Sequence, residues 1–147
     1  DIYLPDFKYY SSYYAEKYSN AIDYFEVCEK AIDEMVKQTG KPVFNEDGIL
    51  QKGTVIRHLM LPDMLQDTKQ VLRRIAENWG DNVLVSLMRQ YTPFNMQDFP
   101  ELNRKITDDE YSEAVEYFEM LGLCGYLQEG EAATESFIPS FNGEGVK

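Results

Sequence analysis

The sequence predicts an α/β fold built on a parallel β-sheet. Short apolar runs typical of strands alternate with longer segments whose apolar residues recur at helical spacing. Turn-forming residues separate the two kinds of segment, and helix start and stop signals flank the longer ones. This alternation favours parallel strands joined by right-handed crossovers, and 147 residues hold three to four such strand-helix units.

The first unit begins with a strand and ends with a helix. Residues 2–8 are rich in strand formers, and the polar Tyr/Ser segment after them is expected to be a loop. The apolar residues of 22–36 recur on one helical face, and Gly40 follows as a stop signal. Residues 41–52 carry turn chemistry, which predicts a loop with a little hairpin character.

The second unit repeats this order. Residues 54–61 form a compact apolar run that predicts a strand, and residues 64–79 place their apolar side chains on one helical face. Asp63 is positioned to cap this helix, and Gly80 to end it.

The third unit starts with a strand predicted at residues 83–91. Thr107 and Glu110 have the spacing of a capping box, which opens a helix that Gly122 ends. A brief strand is expected at 126–128. The remaining tail, residues 129–147, is predicted to be mostly irregular.

Two architectures share this alternation. A complete barrel of eight units needs about 250 residues, so three or four units make a partial (β/α) barrel. An open doubly wound sheet has the same order of elements, and the periodicity alone does not separate the two.

Composition restricts the partners and the compartment. The chain carries 26 acidic and 14 basic residues, a formal charge of −12, and this field repels nucleic acid and anionic membrane surfaces. No run approaches the roughly 18 apolar residues of a membrane span, and no signal-peptide pattern is present. With two isolated cysteines as well, the sequence predicts a soluble cytoplasmic protein.

Polar residues at the carboxyl ends of the predicted strands are the candidates for a ligand site. Asp6 and Lys8 are two residues apart, so their side chains share one face of the first strand. A carboxylate beside an ammonium group can bind a zwitterion, the acid taking its amino group and the lysine its carboxylate. A structural ion pair has the same pattern. Arg57 shares a face with apolar residues of the second strand. A guanidinium group in such surroundings needs an ion-pair partner or a water-filled cavity. The adjacent His58 points the other way and is expected to pack against the helices.

The third strand contributes Gln90 and Tyr91, which could reach the ribose or base of a ligand. Without other context they are edge residues with no ligand. The sequence contains no glycine-rich phosphate loop, nucleophile elbow or cysteine cluster spaced for a metal.

Four blocks of the sequence, DIYLPDFK, VIRHLMLP, VLVSLMRQYTP and FIPSFNGEGV, together resemble the C-terminal half of radical S-adenosylmethionine (SAM) proteins. The subgroup is the one called pyruvate formate-lyase activating enzyme-like. The resemblance covers nearly the whole chain, so residues 1–147 are expected to be the C-terminal part of a radical SAM barrel domain.

The resemblance implies a fold, a reaction and cofactors. Such enzymes have a partial six-strand barrel in which a CxxxCxxC loop binds a [4Fe-4S] cluster, and this chain has no such loop. The cluster binds SAM and cleaves it reductively to a radical, which in activating enzymes takes a hydrogen atom from a glycine of a partner enzyme. The chain alone is therefore expected to be inactive.

Site residues follow by matching positions. The family's Asp-x-Lys, which contacts SAM, matches Asp6 and Lys8, and its arginine before an apolar run and a proline matches Arg57. Where activating enzymes have a nucleoside-holding histidine, this chain has Tyr91.

The implied partners are a glycyl radical enzyme and a reductant such as flavodoxin or ferredoxin. Two alternatives stay open: a radical SAM enzyme with another substrate, and a non-catalytic acidic α/β binding module. A partial barrel also leaves sheet edges unpaired, which predicts self-association of the chain.

Overall fold

The computed structural model describes residues 1–93, 97–128 and 135–138 of the chain. Six strands and four α-helices lie in these ranges, and the chain is α/β as predicted. Their order is β1 Ile2–Tyr3, α1 Ser12–Ser19, α2 Tyr24–Thr39, β2 Val43–Phe44, β3 Leu50–Leu59, α3 Leu65–Asn78, β4 Leu84–Met88, α4 Asp108–Met120, β5 Gly125–Gln128 and β6 Glu135–Ile138. No helix within the described ranges is long and apolar enough to cross a membrane.

The strands form one sheet of order β1-β3-β4-β5-β6. Strands β1, β3, β4 and β5 are parallel, and β6 returns antiparallel to β5. Strand β2 lies off this path and pairs antiparallel with the start of β3. The predicted parallel sheet is therefore confirmed for these four strands.

Helices α2, α3 and α4 cover one face of the sheet, where the main core lies. The sheet contributes alternate residues to this core, and the helices contribute residues spaced three or four apart. Among the most deeply buried are Phe7, Ile56, Val85 and Leu87 from the sheet side and Ile32, Leu72, Ile75 and Phe118 from the helices. The opposite face of the sheet, which we call the open face, is left without a helix of this layer.

The hairpin character predicted for residues 41–52 is realised, but as part of a longer strand. The carboxamide oxygen of Asn45 accepts hydrogen bonds of 2.9 Å from the backbone N–H groups of Asp47 and Ile49 and fixes the turn. Strand β3 therefore begins at Leu50, ahead of the predicted start at residue 54.

The segment after β1, predicted to be a loop, forms helix α1. The hydroxyl of Ser11 accepts the N–H of Tyr13 at the N-cap, and the rings of Tyr14 and Tyr18 stack with centroids 6.1 Å apart. The prediction failed because this helix packs through tyrosines and the buried Ala15, so it lacks the aliphatic stripe that identifies a helix in sequence.

The predicted cap of α3 is wrong, whereas the predicted cap of α4 is confirmed. Asp63 has a left-handed φ of 61° and its carboxylate binds the Arg104 guanidinium at 2.9 Å, so it does not cap α3. At α4, the Thr107 hydroxyl accepts the N–H of Glu110 at 3.1 Å, and the Glu110 carboxylate accepts the N–H of Thr107 at 2.9 Å.

The ends of β4 and of the chain also differ from the predictions. Strand β4 stops at Met88 because the next two backbone N–H groups, of Arg89 and Gln90, donate to the side-chain oxygen of Gln128 at 2.7 and 3.1 Å. The tail expected to be irregular contains strand β6. The rest of the predicted tail lies outside the described residues.

Candidate functional site

The open face carries a groove with a volume of about 400 Å³. It is lined by alternate residues of four parallel strands and by one residue of the β2–β3 hairpin: Ile2, Leu4, Leu50, Val55, Arg57, Ser86, Met88 and Tyr126. The phenyl rings of Phe44, on β2, and Phe137, on β6, lie 5.7 Å apart and link the hairpin to the antiparallel edge strand.

One row of side chains crosses the open face from strand to strand. Asp6 is bridged to Arg57, Arg57 is in register with Ser86, and Ser86 with Tyr126. Neighbours in register point to the same face, and adjacent strands are about 4.8 Å apart. The row therefore places a base, a hydroxyl and a phenol along the groove, with the acid Asp6 beside the base.

Asp6 and Arg57 form an ion pair in this row. The Nε atom of Arg57 lies 2.8 Å from Oδ1 of Asp6, and the two side chains are 44% and 42% exposed. The contact uses one carboxylate oxygen and one guanidinium nitrogen. The other carboxylate oxygen and the two terminal guanidinium nitrogens have no partner among the described residues, and they can bind a ligand without breaking the pair.

The backbone around Asp6 is fixed from both sides. On the sheet side, the N–H of Arg57 donates to the Pro5 carbonyl at 2.8 Å, and the N–H of Phe7 donates to the Arg57 carbonyl at 2.9 Å. On the helix side, the Tyr24 hydroxyl donates to the Asp6 carbonyl at 3.2 Å and accepts the N–H of Lys8 at 2.8 Å. The segment is thus rigidly placed although it extends beyond the regular strand β1.

Alternation predicts that Lys8 lies on the same side of this segment as Asp6. Phe7, between them, is fully buried under the helices, whereas Asp6 and Lys8 are exposed. No described side chain pairs with the Lys8 ammonium group. Asp6 and Arg57 give this end of the open face an acid and a base, and alternation predicts the Lys8 ammonium group as a second cation beside them.

Asp67 holds the segment after Lys8, and sequence reasoning missed it. Its carboxylate oxygens accept the backbone N–H groups of Tyr10 and Ser11, each at 2.9 Å, and burial raises the pKa of this carboxyl group. An acid in the first turn of a predicted helix is an ordinary sequence feature, so no local signal marks this longer-range contact.

His58 points to the opposite face, as predicted. Its Nδ1 donates to the Phe7 carbonyl at 2.7 Å, since a carbonyl only accepts, and its Nε2 accepts the Thr68 hydroxyl at 2.9 Å. Burial lowers the pKa of the imidazole to about 4. His58 is a neutral packing residue that does not reach the groove.

The two candidates from the third strand lie beyond the end of β4. The Tyr91 hydroxyl donates to the Leu102 carbonyl at 2.9 Å, which turns the phenol toward the 100–102 turn. The side chain of Gln90 is exposed at the rim, and its backbone N–H is held by Gln128. The row does not include Gln90 or Tyr91. It includes Ser86 and Tyr126, which sequence reasoning did not select.

Metal-ligating side chains are not grouped anywhere in the described ranges: no three His, Cys, Asp or Glu residues are placed to hold an ion. Cys28 is buried, donates its thiol to the Asp6 carbonyl at 3.4 Å and has a pKa raised to about 11 by burial. Cys124 precedes β5, far from it in sequence. The described residues therefore do not fit an iron-sulfur cluster.

Comparisons with known proteins give one informative relative. No protein-family model and no solved structure matches the chain. A protein of Methanocaldococcus jannaschii, described as uncharacterized, is 30% identical to it over 125 residues. The match covers 84% of this chain but 32% of the relative, so the chain spans about a third of the relative's length.

Proposed function

We propose that this chain is the C-terminal part of a radical SAM enzyme, in which its sheet continues as a partial barrel and its open face binds the amino-acid end of SAM. The observation that carries the proposal is the row Asp6-Arg57-Ser86-Tyr126, and alternation predicts Lys8 beside it. The row combines both charges needed for a zwitterion, and Asp6 and Arg57 lie toward the carboxyl ends of their strands, where parallel strand-helix proteins bind ligands.

The charges on the open face fit the amino-acid end of this cofactor. The free carboxylate oxygen of Asp6 can accept hydrogen bonds from an ammonium group. The Lys8 ammonium and the terminal nitrogens of Arg57 can bind a carboxylate, the guanidinium in a bidentate manner. In this proposal the chain's own residues bind and orient the amino-acid group, and the fixed backbone of residues 5–8 sets its position.

Bound SAM would supply a radical once an iron-sulfur cluster reduces it. The cluster ligands would have to come from a part of a longer protein outside these 147 residues, because the described residues do not fit one. The chain by itself is then inactive. The reductant is a flavodoxin or ferredoxin, and the substrate a glycine of a partner enzyme, as in pyruvate formate-lyase activating enzymes, or another molecule of the cytoplasm.

A second candidate function is favoured by the same ion pair. With Asp6 and Arg57 already 2.8 Å apart, these charges can be structural, as they would be in a non-catalytic acidic binding module. Binding of SAM discriminates between the two candidates, because a purely structural ion pair predicts no binding on the open face.

The test is a titration of the 147-residue chain with SAM, followed by backbone NMR. We expect shifts at Asp6, Lys8, Arg57, Ser86 and Tyr126, with an affinity in the millimolar range for a half-site (about 4 kcal/mol). The matched pair is Lys8→Met against Lys30→Met, since Lys30 is exposed on the outer side of α2. Lys8→Met should weaken binding about tenfold, and Lys30→Met should leave it unchanged.

The gene product that contains the chain gives the second readout. Purified without oxygen, it should contain iron, and its reduced form should change its electron paramagnetic resonance spectrum when SAM is added. Iron-free protein, together with no NMR shift on the open face, would refute the enzyme and leave the binding module.

A further inference from the structure

The carboxamide of Gln128 is held in one position at the carboxyl end of the sheet. Its oxygen accepts the backbone N–H groups of Arg89 and Gln90 at 2.7 and 3.1 Å. Next to these bonds, the Tyr111 hydroxyl accepts the N–H of Gln128 and donates to the Leu87 carbonyl, each at 2.8 Å. Two side chains therefore join the ends of β4 and β5, and both the backbone and the side chain of Gln128 are fixed.

These bonds also decide which way the carboxamide is turned. A backbone N–H group only donates, so the atom that faces two of them is the carboxamide oxygen. The nitrogen atom, Nε2, then points away from them with two N–H donors. Gln128 is 9% exposed, and Nε2 has no hydrogen-bond partner among the described residues. Because no fully buried side-chain nitrogen or oxygen of these residues is unpaired, Nε2 reaches the protein surface.

Alternation along β5 places this side chain on the open face. Tyr126 lines the groove, Leu127 lies in the core on the other face, and Gln128 follows as the last residue of the strand. The register of β4 and β5 pairs Leu87 with Leu127, and one residue further it sets Met88 opposite Gln128. Met88 also lines the groove. The Gln128 donors therefore lie at the carboxyl end of the open face, beside an apolar side chain.

An amino group fixed in this way can only donate to a ligand. A glutamine that recognises adenine uses its oxygen and its nitrogen together, and here two backbone N–H groups already occupy the oxygen. The free donors match an oxygen atom that only accepts, as in a carbonyl or carboxylate group. An apolar neighbour such as Met88 strengthens a bond of this kind, because it lowers the local dielectric.

We propose that Gln128 binds the substrate, and that the substrate presents a carbonyl or carboxylate oxygen to Nε2. The inference rests on the proposed function and deepens it, since it concerns the molecule that shares the open face with SAM. Gln128 lies on the second strand from Arg57 and two residues beyond the row, a Cα separation of about 12 Å. The Asp6–Arg57 end of the open face then serves SAM, and the Gln128 end serves the substrate.

A purely structural role is the competing explanation, because the same carboxamide oxygen ends β4. Gln128→Glu separates the two roles. The glutamate keeps an oxygen for the two backbone N–H groups, but it has no N–H donor and its charge repels a carboxylate. Gln128→Met removes both functions. The control is Gln66→Glu, which adds the same charge at an exposed position of α3.

The test is a titration of the 147-residue chain without SAM, followed by NMR of the Gln128 side-chain amide and of the Met88 methyl group. The probes are N-methylacetamide for a carbonyl, propionate for a carboxylate, adenosine for a nucleobase and methylammonium for a donor. We expect the first two probes to shift the Gln128 amide signals saturably, and the last two to leave them unchanged.

The variants give the second readout. In Gln128→Glu, the Met88 shift should require about tenfold more propionate, while the midpoint of urea unfolding stays that of the parent. Gln128→Met should lower this midpoint, and Gln66→Glu should match the parent in both measurements. The response of the parent decides the case in which a variant does not fold.

Three results would overturn the inference: no response of the Gln128 amide to either oxygen probe, a response to adenosine instead, or equal propionate binding by the parent and Gln128→Glu. None of them bears on the shifts that SAM should cause at Asp6 and Arg57. The two proposals can therefore fail separately.

Discussion

Acidification should destabilise this protein through its only histidine. His58 is fully enclosed between Phe7 and Thr68, where its neutral ring satisfies both hydrogen bonds. A proton on Nε2 would break the bond from the Thr68 hydroxyl and place a charge in the core. Lowering the pH from 7 to 4 is therefore the perturbation that tests this arrangement.

The size of the effect follows from the two pKa values. Burial lowers the pKa of His58 from 6.5 to about 4 in the folded state, while the unfolded chain keeps the ordinary value. Because the folded-state pKa is depressed, the stabilisation is complete above pH 6.5 and is lost as the pH falls toward 4. At about 1.4 kcal/mol for each unit, the loss amounts to roughly 3 kcal/mol by pH 4.

The assay is urea unfolding at pH 7, 6, 5 and 4 of the parent protein and of His58→Gln, which cannot gain a proton. The free energy of unfolding of the parent should fall by about 3 kcal/mol more than that of the variant. Asp67, whose raised pKa acts in the opposite direction, titrates in both proteins and cancels in the difference. Thr68→Val, which keeps the imidazole, should retain the pH dependence.

Parallel curves for the parent and His58→Gln would refute this reasoning, because they would mean that the imidazole titrates alike in the folded and unfolded chains. A steeper curve for the variant would be just as damaging. Either result would require a water-accessible His58 and a different packing of the segment that carries Asp6.

Three further changes test the contacts that shape the sheet and its helices. Gly125→Ala would place a Cβ 1.8 Å from the Val85 carbonyl oxygen, so β4–β5 pairing should fail and the free energy of unfolding in urea should fall by about 3 kcal/mol. The control Gly80→Ala, whose Cβ meets no atom within 4 Å, should lose about 1 kcal/mol. Asp67→Asn removes one of two acceptors for backbone N–H groups; unfolding should report a loss of about 1–3 kcal/mol, and hydrogen exchange should quicken in the segment after Lys8. Thr107→Ala breaks the capping box of α4, for which we expect a loss of about 1 kcal/mol by the same urea assay; an unchanged midpoint would show that the cap contributes nothing.

Local patterns in the sequence determined most of the element types. The apolar spacing of α2, α3 and α4 and the capping box at Thr107 act within a few residues, so they can be identified without coordinates. Alternation also placed Asp6 and Lys8 on one face and His58 on the other, because side chains along an extended segment point to opposite sides in turn.

The partners of these residues were decided by tertiary structure. Three contacts join residues 25 or more positions apart in the sequence. They are the ion pair of Arg57 with Asp6, the row through Ser86 and Tyr126, and the hydrogen bonds of Asp67 to the segment after Lys8. Strand register fixes the first two, and no local pattern encodes register between strands separated by helices. Helix α1 was missed for a related reason, because its buried Ala15 packs with Tyr9 and with the distant Met64. Strand β6 pairs with the neighbouring β5, and this pairing, which no apolar pattern of its own indicates, makes it a strand.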